Sequence, residues 1–276
     1  MKVLVTGANG YLGQGIVKQL LDDEVNVVAT DCVVNMVDPR ANIYKCDLFS
    51  IPDPYTYFGK PDILLHLAWR DGFKHNSETH IYDLQYHYAF IKKMIESGLS
   101  QIAVMGTMHE VGFHEGPIKE DTKTEPLSLY GISKNTLRTL TRLLCDKHKT
   151  IYQWLRGYYI VGNTEYGASI FSKIKSAANS GAKSFPFTSG LNQYDFIDYD
   201  EFCKQVASVI QQNSINGIIN ICSGHPQKLS DRVQQFIIDN NLDINLEYGA
   251  FPERPYDSKA SWGDNTKITQ ILNKNQ

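Results

Sequence analysis

The chain has 276 residues, 42% of them hydrophobic and 21% charged, with a formal net charge of -3 at pH 7. That length and apolar content suit one large domain or a core domain with a smaller lobe, and the near-neutral balance argues against nucleic acid as an obligate partner. No apolar run approaches membrane-spanning length, and Met1 leads straight into an apolar strand without room for a signal peptide. The five cysteines are scattered and lack CxxC spacing, which points to reduced thiols in a cytoplasmic protein without a metal site.

The first apolar run ends in Thr6–Gly13, read TGANGYLG, with glycines at Gly7, Gly10 and Gly13 where a buried strand hands over to a helix. Such a turn lets the backbone approach a pyrophosphate, whose charge rests on the free N–H groups of the helix start. The spacing is GxxGxxG rather than GxGxxG, and a glycine triplet alone is weak. Its context is stronger. Leu12, Ile16, Val17, Leu20 and Leu21 recur at helical spacing, and a second strand then ends in Asp31, about 20 residues beyond the glycines. A carboxylate there accepts hydrogen bonds from the adenosine ribose hydroxyls and repels a 2′-phosphate. NAD(H) is therefore favoured, with NADP(H) possible. An ordinary solvated Asp at a strand end is the alternative.

Residues 3–6, 26–30, 43–46, 63–67, 101–105 and 153–157 read as strands, with helical patterns between them that include 80–97 and 127–147. This alternation predicts an α/β fold: a Rossmann-type doubly wound parallel sheet. Past about residue 166 the pattern breaks into a helix near 169–180, a loop-rich stretch, and a further strand and helix. The expected division is an NAD-binding Rossmann domain over 1–165 and a small C-terminal substrate-binding lobe over 166–276, some segments of which return to the core.

Tyr130 and Lys134, in Tyr130-Gly131-Ile132-Ser133-Lys134, fall four residues apart on one helix face. The ammonium can lower the phenol pKa and make Tyr130 a usable acid near neutral pH. Upstream, Met105-Gly106-Thr107-Met108-His109-Glu110-Val111-Gly112 follows an apolar strand and offers the Thr107 hydroxyl, which could share a substrate carbonyl oxygen with Tyr130. A YxxxK pair by itself is common on helices, and Thr107 could simply bond its own backbone.

Taken in order, these motifs resemble those of the extended short-chain dehydrogenase/reductases, the NAD-dependent epimerase/dehydratase family of sugar-nucleotide enzymes. The resemblance spans nearly the whole chain. It rests on TGANGYLG, Asp31, Asp47-Leu48, His66-Leu67-Ala68-Trp69, Thr107, YGISK, and the segments 155–162, 194–198 and 254–257. It implies that Gly7, Gly10, Tyr11, Leu12 and Gly13 line the cofactor pyrophosphate. It further implies that Asp31 holds the ribose, Asp47 and Leu48 flank the adenine, and Leu67 and Ala68 pass beneath the cofactor. Thr107, Tyr130 and Lys134 would be the catalytic triad, with Tyr130 and Lys134 also touching the cofactor. Trp69, Thr107, His109, Tyr159 and Arg254 would meet the substrate, Arg254 at its diphosphate.

Departures from the family narrow the reaction. Dehydratases carry an Asp-Glu pair directly after the triad Thr, where this chain has Met108 and His109. Tyr159 and Tyr194 replace residues of the usual UDP-hexose epimerase pocket. The strings around residues 66–69, 105–112 and 260–267 are similar to a subgroup that reduces nucleoside-diphosphate 4-keto-6-deoxysugars, as in dTDP-6-deoxytalose and CDP-abequose-type pathways for surface glycans. The resemblance therefore implies an NADH-dependent C4 carbonyl reductase acting on a nucleoside-diphosphate sugar, without nucleic-acid or membrane partners. It also implies a homodimer formed by pairing helices 80–97 and 127–147. A nucleotide-sugar 4-epimerase and a non-catalytic NAD(H)-binding sensor or scaffold are the other readings.

Overall fold

The computed structural model describes residues 1–162, 169–252 and 258–274. Short apolar runs make the first strands, β1 (Lys2–Thr6), β2 (Asn26–Asp31), β3 (Asn42–Lys45), β4 (Ile63–His66) and β5 (Gln101–Thr107). Between them lie α1 (Tyr11–Asp22), α2 (Pro54–Tyr57) and α3 (Thr79–Glu96). A short β6 (Gly116–Ile118) precedes α4 (Leu129–His148), β7 (Ile151–Gly157) and β8 (Tyr159–Val161). Then follow α5 (Ile170–Asn179), β9 (Ser184–Pro186), β10 (Gln193–Asp198), α6 (Tyr199–Ile210) and β11 (Gly217–Ile221). The last described elements are β12 (Pro226–Lys228), α7 (Leu229–Asp239), β13 (Asn245–Glu247), β14 (Ala260–Gly263) and α8 (Thr266–Lys274).

The seven-stranded central sheet runs β11-β7-β5-β4-β1-β2-β3 with every neighbouring pair parallel. Alternate residues of β1 serve opposite faces, as strand pleating requires. Val3 and Val5 pack with Ile16, Leu20, Val206 and Val209 from α1 and α6, whereas Leu4 packs with Phe90, Ile91, Met94 and Leu137 from α3 and α4. Strand order reverses between β1 and β4, and a crevice opens at the carboxyl ends of strands at such a switch point. Both the glycine turn and the residues after β4 lie there.

Two strands are two residues longer than expected: β7 begins at Ile151 rather than at 153, and β5 runs past 105. The run expected to end at 105 continues through Thr107, because β5 pairs residue by residue with β7 as far as Thr107 opposite Gly157. The chain also crosses between its two halves in both directions. β6, from the first half, pairs with β14 in a sheet ordered β12-β10-β14-β6, while α6, β11 and α8, from the second half, complete the Rossmann layers. The smaller lobe has its own core of Phe171, Ile174, Phe187, Phe196, Val233 and Phe236.

Candidate active site

The glycine turn is built for close approach. Gly7 has φ +70°, and a Cβ on it would stand 2.6 Å from the Ala68 nitrogen. A Cβ on Gly13 would stand 2.2 Å from the Gly7 oxygen. Any larger residue at either position would push the turn away from α1 and from the chain leaving β4. No side chain caps the start of α1, and a helix N-terminus of this kind favours an anion. Asp31 closes the adjoining side: its carboxylate accepts from the backbone N–H of Asn9 (3.1 Å) and of Cys32 (2.7 Å). Leu67 and Ala68 run against the turn, with Ala68 N–H directed at the Thr6 hydroxyl at 3.4 Å. Tyr11 anchors the turn, its hydroxyl donating to the Gly162 carbonyl at 2.9 Å. Leu12, in the first turn of α1, packs on the core. Asp47 caps a short 3-10 turn by accepting from Phe49 N–H, which sends Leu48 into the second hydrophobic cluster.

Thr107 ends β5, and Tyr130 and Lys134 stand in the first two turns of α4. Hydrogen bonding from Thr107 pulls the Tyr130 phenol down, but burial outweighs it, and with the Glu110 charge nearby the phenol is pushed up to about 12. The phenol-lowering ammonium expected from sequence is therefore not what this site shows. The reason is that Lys134 is itself buried: it donates to the Met105 carbonyl at 2.8 Å and stands 3.9 Å from the Trp69 ring centre. Burial brings its own pKa down to about 7, against the opposing pull of Glu110. Trp69, expected beside substrate, commits its indole N–H to His80 Nδ1 at 3.0 Å and stacks on His87 at 4.5 Å. It is the platform under Lys134.

His109 lies one residue beyond Met108 in a 3-10 turn, its ring 6.3 Å from that of Tyr130 and 6.4 Å from that of Tyr159. Burial lowers its pKa to about 4, so the ring is neutral at neutral pH. Arg254 lies outside the described residues.

Sequence reasoning missed a buried group behind the triad. Glu110 is fully buried, accepting from Arg156 Nε at 2.8 Å and from Trp154 Nε1 at 3.0 Å, with Arg138 3.6 Å away. The available signal was Arg156 itself: a guanidinium inside an apolar strand demands a buried partner. A second missed feature is the chain Thr6–His66–His87, hydrogen-bonded at 2.8 and 2.9 Å, in which burial lowers His66 to about 3 and His87 well below its ordinary value. Among the described residues no cluster of three His, Cys, Asp or Glu could hold a metal ion, and no helix is long and apolar enough to cross a membrane.

A doubly wound sheet with a glycine turn at its switch point and a Tyr-Lys pair on the adjoining helix is the architecture of an extended short-chain dehydrogenase/reductase. The NAD dependent epimerase/dehydratase family matches over residues 3–222, and the chain belongs to that family. It is 38% identical over 272 residues, 95% of this chain and 99% of the relative, to dTDP-6-deoxy-L-talose 4-dehydrogenase (NAD(+)) of Aggregatibacter actinomycetemcomitans. Among solved structures it resembles the UDP-N-acetylglucosamine 4-epimerase of Methanobrevibacter ruminantium (TM-score 0.84, 22% identity, 98% of this chain and 91% of the other). It also resembles the UDP-glucose 4-epimerase of Thermus thermophilus in complex with NAD (TM-score 0.81, 18% identity, 98% and 92%). These likenesses carry the fold.

Proposed function

We propose that the protein reduces the C4 carbonyl of a nucleoside-diphosphate 4-keto-6-deoxysugar with NADH. The observation that carries this reading is the meeting of Thr107, Tyr130 and Lys134 beside the glycine turn, in a chain 38% identical along 95% of its length to an NAD-dependent 6-deoxytalose-nucleotide dehydrogenase. When bound, NADH supplies the hydride. The site fits it: the uncapped start of α1, with Gly7, Gly10, Tyr11, Leu12 and Gly13, takes the pyrophosphate, and Asp31 takes the adenosine ribose and disfavours a 2′-phosphate. Asp47 and Leu48 border the adenine side, and Leu67 and Ala68 the nicotinamide side.

Tyr130 keeps its proton at neutral pH and gives it to the C4 oxygen as the carbonyl becomes a hydroxyl. Thr107 orients that oxygen. Lys134 is held by Met105 and Trp69, with N–H donors left for the nicotinamide ribose. His109 and Tyr159 meet the nucleotide sugar, and the family resemblance assigns Arg254 to its diphosphate. No acid–base pair for breaking a bond at carbon stands after Thr107, which suits reduction and not dehydration.

The protein works in the cytoplasm as a homodimer that pairs α3 and α4 with their copies. Supporting this, Tyr82 and Tyr86 on α3 and Ile132 and Leu143 on α4 are exposed. The test of function is NADH oxidation against a panel of nucleoside-diphosphate 4-keto-6-deoxysugars, with NMR of the product. Stoichiometric NADH loss with a new C4 hydroxyl is expected. Tightly held NAD with interconversion of UDP-hexoses and no NADH loss would make the protein an epimerase.

A further inference from the structure

We propose that His75 and His109 form the sugar-recognition wall of this site: an imidazole pair that takes adjacent hydroxyls of an uncharged pyranose beside the reacting carbonyl. This rests on the reading of the site as a nucleotide-sugar oxidoreductase and adds to it a residue, His75, that no motif marks.

The loop between Trp69 and α3 is tied down along its length. The Asp71 carboxylate accepts from the hydroxyls of Ser77 (3.1 Å) and Thr79 (3.0 Å). Because the Trp69 indole can only donate, His80 Nδ1 accepts from it, and His80 Nε2 donates to the Lys74 carbonyl at 3.0 Å. The loop then grips the catalytic helix. The His75 carbonyl accepts from Tyr130 N–H at 2.9 Å, and the Asn76 side-chain oxygen accepts from Leu129 N–H at 3.4 Å. These are two of the otherwise unpaired N–H groups at the start of α4.

The His75 ring is thereby laid on Tyr130, nearly parallel (14°) with centres 5.2 Å apart, and 4.4 Å from the His109 ring. Among the described residues neither imidazole makes a side-chain hydrogen bond, although both are partly buried. Burial holds both neutral, so the pair offers two N–H donors and two ring-nitrogen acceptors next to the phenol. Sugar hydroxyls, each a donor and an acceptor, complement that set. A carboxylate is matched less well, since the two neutral rings themselves carry no countercharge. The wall continues through Tyr159 to Tyr194, whose rings are 4.7 Å apart, into the smaller lobe.

The test is calorimetric titration of the NADH-loaded protein, which cannot oxidise the hydroxyl, with dTDP-6-deoxy-L-talose, with dTDP-glucuronate and with dTDP alone. His75→Phe keeps a flat ring over Tyr130 but removes both nitrogens. It should weaken binding of the 6-deoxytalose nucleotide by about tenfold, the size of one lost hydrogen bond, and leave dTDP affinity unchanged. His75→Gln, which keeps a donor and an acceptor, should recover most of that loss. On the wild type, dTDP-glucuronate should bind no more tightly than dTDP. Equal losses for the sugar nucleotide and dTDP, or no loss in His75→Phe while the wild type turns the substrate over, would overturn the inference and leave the reductase reading standing. A wild type that neither turns over nor binds the sugar nucleotide better than dTDP would remove both.

Discussion

Lys134 shows how this site sets chemistry against stability. Its folded pKa of about 7 lies below the ordinary 10.5, so between those values the unfolded chain holds a proton that the folded chain has released. Stability from this group therefore rises with pH across that window, and the burial penalty is fully present below about pH 7. Lys134→Met should abolish reduction yet stabilise the fold by about 1–3 kcal/mol at pH 6, a gain that shrinks towards pH 10, as followed by urea denaturation. Tyr130→Phe should lower turnover by about 10²–10⁴-fold while NADH still binds, as followed by its fluorescence. Three desolvated imidazoles act in the acid range. His66 at about 3, His109 at about 4 and His87 well below its usual value all bind protons more weakly folded than unfolded. Stability should therefore fall as pH drops below about 6.5, by up to about 1.4 kcal/mol per pH unit for each group. A urea midpoint that stays flat between pH 7 and pH 5 would contradict this. Thr107, Tyr130 and Lys134 were legible because each sits in a short local motif. Glu110 was not: its partners Trp154 and Arg156 lie 44 and 46 residues away, and one sequence does not display such a pairing.

At the scale of elements, the helices carrying the site were readable from apolar spacing. The patterns over 80–97 and 127–147 correspond to α3 (Thr79–Glu96) and α4 (Leu129–His148) within one or two residues. What spacing does not show is how α4 begins. Its first N–H groups are received by Asn76, by His75 and by Ser128, whose hydroxyl accepts from Gly131 N–H at 3.2 Å. Only Ser128 is a local signal. Ser128→Ala should cost about 1 kcal/mol in chemical denaturation, and because Tyr130 stands in that first turn, turnover should fall with it. Full stability in this variant would mean that the loop bonds alone set the helix start. The loop itself escaped prediction because its conformation depends on long-range partners, His80 and the start of α4, rather than on turn residues alone.

For the molecule as a whole, the alternation of strands and helices was enough to give the doubly wound sheet. The division expected near 165 is crossed both ways, since β6 joins the second sheet while α6 and β11 return to the first. Burial explains the return: Phe202, Val206 and Val209 of α6 cover the same face as α1, which would otherwise be left to water. The proposed dimer on α3 and α4 is supported by the exposure of Tyr86 and Leu143. Tyr86→Glu with Leu143→Glu should turn a dimer into a monomer in analytical ultracentrifugation, and a monomeric wild type would contradict the arrangement. The most direct test of the central claim is the fate of the transferred hydrogen. With both hydrogens at the nicotinamide C4 of NADH replaced by deuterium and a nucleoside-diphosphate 4-keto-6-deoxysugar as substrate, NMR of the product should show one deuterium at the sugar C4 for each NADH consumed. A C4 carrying ordinary hydrogen, or a 4-ketosugar left unreduced with no NADH loss, would contradict it.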